Sequence, residues 1–120
     1  MKLKIISLIS TILVVIFLQS CSMEKLPKSV KLTKHDSVEI SFADKGYQEV
    51  LFGTDLYGDW ENLHMQKKGS LWTIKFQNPH KKIKYKFFID GIFWKSDPLN
   101  NNKEKVPPPF AGYNSIAKFN

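Results

Sequence analysis

From residue 37 onward, apolar and polar side chains alternate with a period of two. Val38, Ile40 and Phe42 interleave with Ser37, Glu39 and Ser41, which predicts a strand with one face on a core and the other in water. Val50 and Phe52 repeat the pattern ahead of Gly53, and Trp72, Ile74 and Phe76 repeat it with Thr73 and Lys75 between them. Over 82–89, Ile83, Tyr85, Phe87 and Ile89 form one face, with Lys82, Lys84, Lys86 and Phe88 on the other. Asp90-Gly91 supplies a hairpin turn, and Ile116 and Phe119 predict a short closing strand. Stretches rich in turn formers separate these runs at 43–46, 54–62, 67–70, 78–81 and 97–109. No segment carries the spacing of an amphipathic helix. The expected fold is all-β, a sandwich of about seven short strands over 37–120, with Trp72 in its core.

The N-terminus carries a different pattern. Lys2 and Lys4 precede Ile5 to Leu18, an almost wholly apolar run of 14 residues that ends in Leu18-Gln19-Ser20-Cys21. The run has the length of a signal-peptide core and falls short of a comfortable membrane span. It resembles the lipobox of bacterial lipoproteins, with an apolar residue at minus three, a small one at minus one, and the cysteine. The resemblance implies cleavage of a signal peptide (residues 1–20) before Cys21, lipid on the Cys21 sulfur, and a protein held to a membrane of the bacterial cell envelope. Acyl chains add about 0.8 kcal/mol of anchoring for each buried methylene. Residues 21–36 are rich in lysine (Lys25, Lys28, Lys31 and Lys34) and read as a tether whose charge suits an anionic bilayer.

Composition narrows the functions open to the remainder. The 120 residues suffice for one small domain. All 18 basic residues are lysine, and against 11 acids they leave a formal charge of +7. Sequence-specific base readout leans on the arginine fork, which is missing, so nucleic acid is not an expected partner. A single cysteine excludes a disulfide scaffold and a cysteine-ligated metal site. His35, His64 and His80 have no metal-ligand spacing, and no cofactor motif occurs.

Six blocks then follow in order: VLFG (50–53), LYGDW (56–60), KKGSLW (67–72), YKFFIDG (85–91), FWKSDP (93–98) and AGYNSI (111–116). Together they resemble the glycogen-binding domain of the AMP-activated protein kinase beta subunit and the family 48 carbohydrate-binding modules. The resemblance implies an immunoglobulin-like, early-set sandwich. It also implies an α-glucan ligand gripped by two exposed tryptophans, a lysine and an asparagine, which fall here on Trp60, Trp94, Lys86 and Asn114. The stretch from Gly53 to Trp60 is longer than in the kinase domain, and the hairpin before Trp94 carries an extra residue, so Phe93 is an alternative platform. A leucine that reaches through the glucan in the kinase domain falls near Ala111, where Phe110 is a candidate for the same task.

The residues support that expectation in physical terms. A sugar ring presents an apolar C–H face fringed by hydroxyls, so its site needs flat aromatic surface and a few polar groups. Alternation over 83–89 turns Lys86 outward with Phe88. Trp60 and Trp94 sit in polar, turn-rich surroundings, where a core tryptophan is least expected. A catalytic role is not expected: the acids Asp55, Asp59, Glu61, Asp90 and Asp97 lie in turns without the convergent pair that glycoside hydrolysis needs. The rival reading is a structural or protein-docking domain of the envelope, with its aromatics turned to a protein partner.

Overall fold

The computed structural model describes residues 25–120. The expected signal peptide (1–20) and the expected lipidation site Cys21 lie outside them. The described residues form ten strands: β1 (Val30–Thr33), β2 (Ser37–Ala43), β3 (Val50–Tyr57), β4 (Asp59–His64), β5 (Gln66–Lys68), β6 (Leu71–Gln77), β7 (Lys82–Ile89), β8 (Phe93–Lys95), β9 (Lys103–Lys105) and β10 (Tyr113–Lys118). All pair antiparallel. One sheet has the order β1-β2-β6-β5. The other runs β4-β3-β7-β10-β9, with β8 also on β7. The molecule is therefore an all-β sandwich of immunoglobulin-like kind.

The alternation seen along the chain is the alternation of burial. Val38, Ile40 and Phe42 of β2, Val50 and Phe52 of β3, and Ile83, Tyr85, Phe87 and Ile89 of β7 face the interior. Phe42 and Phe87 stack across the two sheets with ring centroids 4.3 Å apart. Within the larger sheet, Phe52 of β3 and Tyr85 of β7 lie 5.3 Å apart. Each such ring contributes about 1.5–3 kcal/mol through burial. Trp72 is in the core as expected, and its indole N–H reaches Asp44 Oδ1 at 3.1 Å. Asp44 also meets Lys67 Nζ at 2.8 Å; that ammonium, and then the indole, hold its pKa down to about 2.

Three expectations are corrected. The lysine-rich segment is not all tether: Val30–Thr33 forms β1 and adds to the edge of β2, with Val30 opposite Ile40 and buried. Ser29 is buried too, and its carbonyl accepts from Ser41 N at 2.9 Å. The turn-rich stretch 54–62 holds the end of β3, a tight reversal at Gly58 (φ +104°) and most of β4, with a register shift between Thr54 and Tyr57. Ten strands replace about seven because β4, β5 and β9 are short or exposed on both faces and carry no alternation.

Asp97, expected only to shape a turn, is a buried pin. Its Oδ2 accepts from Tyr85 OH at 2.7 Å and from the Ser29 hydroxyl, and its Oδ1 accepts from Leu99 N at 3.0 Å. Its own N–H donates to Ser115 Oγ at 2.8 Å. Asn100 Nδ2 completes the cluster with bonds to Tyr85 OH and Ile116 O. Burial, followed by the nearby Asp97 charge, pushes the Tyr85 phenol far above its ordinary pKa. The network joins β7, β10 and the 97–102 loop to the segment that leads into β1.

Candidate functional site

The outward face of the larger sheet carries the candidate site. Gly53 of β3 lies opposite Asn62 of β4 on one side and Lys86 of β7 on the other. The flank of β7 beyond Lys86 is divided: Lys82 to Tyr85 pair with β10, and Phe87 to Ile89 pair with β8. Lys86 thus stands at the step where one neighbour ends and the next begins. That step opens the sheet surface into a groove.

Trp60 projects over this groove from β4 and Trp94 from β8, each about two-fifths exposed (40% and 41%). Their ring centroids are 6.2 Å apart and their planes inclined by 67°. Trp94 is backed by Phe88, its cross-strand partner, at 4.6 Å and 31°. Trp60 is steadied by its N–H, which donates to Asn62 Oδ1 at 3.2 Å. Both indoles lie close on Gly53: a Cβ there would fall 2.7 Å from Trp94 Cζ3 and 2.8 Å from Trp60 Cζ2. Glycine is what lets the two rings settle on the sheet.

Lys86 Nζ lies 5.0 Å from the Trp94 ring centroid, a cation–π contact worth about 0.5–1 kcal/mol where water has access. Burial holds the pKa of this lysine below its ordinary value. Its neighbour Lys84 is engaged by Glu104 at 2.6 Å; no carboxylate lies within ion-pair distance of Lys86 among the described residues. Asn114 of β10 completes the floor. Its Oδ1 is enclosed and has no hydrogen-bond partner among the described residues, an arrangement that is rare for buried polar atoms.

The opposite wall is the loop between β9 and β10. Val106 N donates to Gly112 O at 3.0 Å and closes the base of this loop, and Phe110 N donates to Pro107 O at 3.2 Å within it. Phe110 stands out at 73% exposure. Trp60, Lys86, Trp94, Val106, Phe110, Ala111 and Asn114 together line an open groove of 550 Å³. Four residues singled out from the sequence, and Phe110 with them, therefore converge on one place.

Phe93 does not join them. It precedes Trp94 in β8 and opposes Ile89, so the pleat turns its ring to the other face. Cys21 lies outside the described residues. Sequence reasoning missed Val106, which carries no chemical signal, and the part played by Gly53. Three of the acids named above have other tasks: Asp97 is the buried pin, Asp55 accepts from Lys84 N at 2.8 Å, and Asp90 accepts from Gln48 N and Glu49 N at 2.7 and 2.9 Å, while Asp59 and Glu61 are exposed on β4.

Comparison with known protein families and with curated proteins finds no match. The resemblance to glycogen-binding modules accordingly rests on the six sequence blocks alone.

Proposed function

We propose that this chain is a lipid-anchored, non-catalytic carbohydrate-binding protein of the bacterial cell envelope whose groove recognises an α-glucan. The observation that carries the reading is the convergence of Trp60, Trp94, Lys86, Asn114 and Phe110 on one open groove. The aromatic faces take the C–H faces of sugar rings. Lys86 and the Asn114 amide exchange hydrogen bonds with hydroxyls. Two platforms inclined by 67° suit successive rings of a chain that turns, as an α-linked glucan does, better than those of a flat ribbon.

The groove is open, so stacking and a few hydrogen bonds give affinities in the micromolar to millimolar range, roughly −4 to −8 kcal/mol. A non-catalytic role is supported by the acids: Asp55, Asp90 and Asp97 are spent on backbone and side-chain hydrogen bonds that hold the fold. The test is a titration with maltoheptaose and β-cyclodextrin followed by tryptophan fluorescence. Saturable quenching is expected, and it should vanish in Trp60→Ala and Trp94→Ala. A flat response from the folded protein at millimolar sugar refutes the proposal and leaves the aromatic face to a protein partner.

A further inference from the structure

The groove does not end at Ala111. A second hollow of 260 Å³ shares Lys86, Trp94 and Ala111 with it and continues past them to Lys95, Ser96, Gly112 and Tyr113. The two hollows differ in chemistry. The first is walled by Trp60, Val106 and Phe110 and is mostly apolar. The second is lined by Lys86, Lys95 and Ser96, and a third ammonium, Lys103 Nζ, stands 5.5 Å from the ring centroid of the Tyr113 that lines it.

What sets Lys86 and Lys95 apart from other surface lysines is that both line this hollow; lysines elsewhere, Lys45 and Lys82 among them, also have no carboxylate within ion-pair distance among the described residues. Lys67, Lys75 and Lys84 each have a carboxylate within ion-pair distance. Lys86, Lys95 and Lys103 have none among the described residues, and no acid lines either hollow. Glu104 of β9 is occupied by Lys84, and the Asp97 carboxylate, next along the chain from Ser96, is taken up by Ser29 and Tyr85. Two lysines lining a concave surface that no acid lines, with Lys103 over the Tyr113 ring beside it, raise the local potential and favour an anion there.

We infer that the saccharide bound by this groove carries an anionic substituent, a phosphate monoester or a carboxylate, seated in the hollow formed by Lys86, Lys95, Ser96 and Tyr113 while neighbouring neutral rings lie on Trp60 and Trp94. This inference rests on the saccharide reading above and narrows its ligand class. Trp94 sits between the two hollows, so a ring stacked on it has neutral contacts on one side and ammonium groups on the other. The Ser96 hydroxyl supplies a neutral donor to the same anion.

The test uses the full chain in mild detergent and three ligands: maltoheptaose, maltoheptaose 6-phosphate, and maltoheptaose with its terminal 6-hydroxymethyl group oxidised to carboxylate. Affinities are read from tryptophan fluorescence at low and raised salt, with inorganic phosphate as competitor. At least one charged ligand should bind roughly fivefold tighter than the neutral one, the gain shrinking with salt. Which charged ligand gains more names the substituent. A Lys95→Gln/Lys103→Gln double variant should lose the preference and keep the affinity for neutral maltoheptaose. Equal affinity for all three ligands overturns this inference and leaves the α-glucan reading intact. A preference that survives in the double variant overturns the assignment to this hollow. Failure of every saccharide to bind overturns both readings. Binding of inorganic phosphate that leaves saccharide affinity unchanged marks an anion site unconnected with sugar and also overturns the inference.

Discussion

Replacing Gly53 by alanine separates the stability of the sheet from the function of its outer face. The new methyl would start 2.7 Å from Trp94 and 2.8 Å from Trp60. Carbon pairs settle near 3.5 Å or beyond, so each indole must retreat by about 0.8 Å. Both rings have solvent on one side and can move. Gly53 has no left-handed backbone angle, so alanine fits the strand and should recover part of the roughly 0.5–1 kcal/mol that glycine costs there. The melting temperature should therefore hold or rise slightly. Binding should suffer, because the edge contact between Trp60 and Trp94 and the angle between their faces both change. An aromatic pair is worth ~0.5–1.5 kcal/mol; losing about 1 kcal/mol raises Kd roughly fivefold. Thermal unfolding and a maltoheptaose titration on the same sample measure the two effects. A fully stable variant with unchanged Kd refutes the claim that Gly53 sets the indole geometry. A variant that unfolds refutes the claim that the rings can yield.

Tyr85→Phe should destabilise the domain by about 1–3 kcal/mol in urea unfolding, because Asp97 loses a buried hydroxyl donor and Asn100 Nδ2 keeps only its bond to Ile116 O. His80 Nδ1 donates to Asn120 O at 2.7 Å and Nε2 to Asp36 Oδ2 at 2.6 Å, and these bonds, the first the stronger, raise the His80 pKa above 6.5. The contribution of protonated His80 is full below pH 6.5 and is lost as pH rises through the elevated value. Asp36 is lowered below 3.8 by His80 and Asn78, so its part is full above 3.8 and fades in acid. Melting temperature should accordingly fall between pH 6 and 8, and His80→Gln should flatten that slope; an unaltered slope in the variant discounts the clasp. Phe110→Ala should weaken maltoheptaose binding several-fold, roughly 1 kcal/mol, with no change in unfolding midpoint, since the ring touches solvent on most sides. Phe93→Ala should leave the same titration unchanged, and a loss of affinity there would mean that β8 presents the opposite face to the ligand.

The sandwich was legible wherever a strand has one dry face. In β2 and β7 burial imposes the alternation, and the interior residues read from the sequence are the interior residues of the fold; in β6 Trp72 and Phe76 follow it, but Thr73 is buried and Ile74 only half-buried. Strand β4 shows no such pattern because nearly all of it is exposed; backbone pairing with β3 alone makes it a strand, and pairing is silent in the sequence. Strand β1 was hidden by lysines that its exposed positions tolerate without consequence. Asp97 looked like a turn residue because its partner Ser29 lies 68 positions away. The site was legible in part. Trp60, Trp94, Lys86 and Asn114 came from ordered motifs and from aromatics set among polar neighbours. Phe93 failed because adjacent residues in a strand face opposite ways, so an aromatic pair offers two platforms of which one sheet face can use only one.

The bond between Ser29 and Asp97 has a consequence for reach. With the N-terminal segment pinned at Ser29, only seven residues lie between it and Cys21, eight Cα steps, a leash of at most about 28 Å when fully drawn out. A tether running to residue 36 would have allowed roughly twice that span. If lipid holds Cys21 as proposed, the groove sweeps a shallow layer above the bilayer. Polymers that enter this layer meet the protein at high local concentration, and those that stay beyond it do not meet it at all. On the proposed reading, the pin would make the protein selective by distance as well as by chemistry, suited to holding a glucan close against the surface from which it would hang.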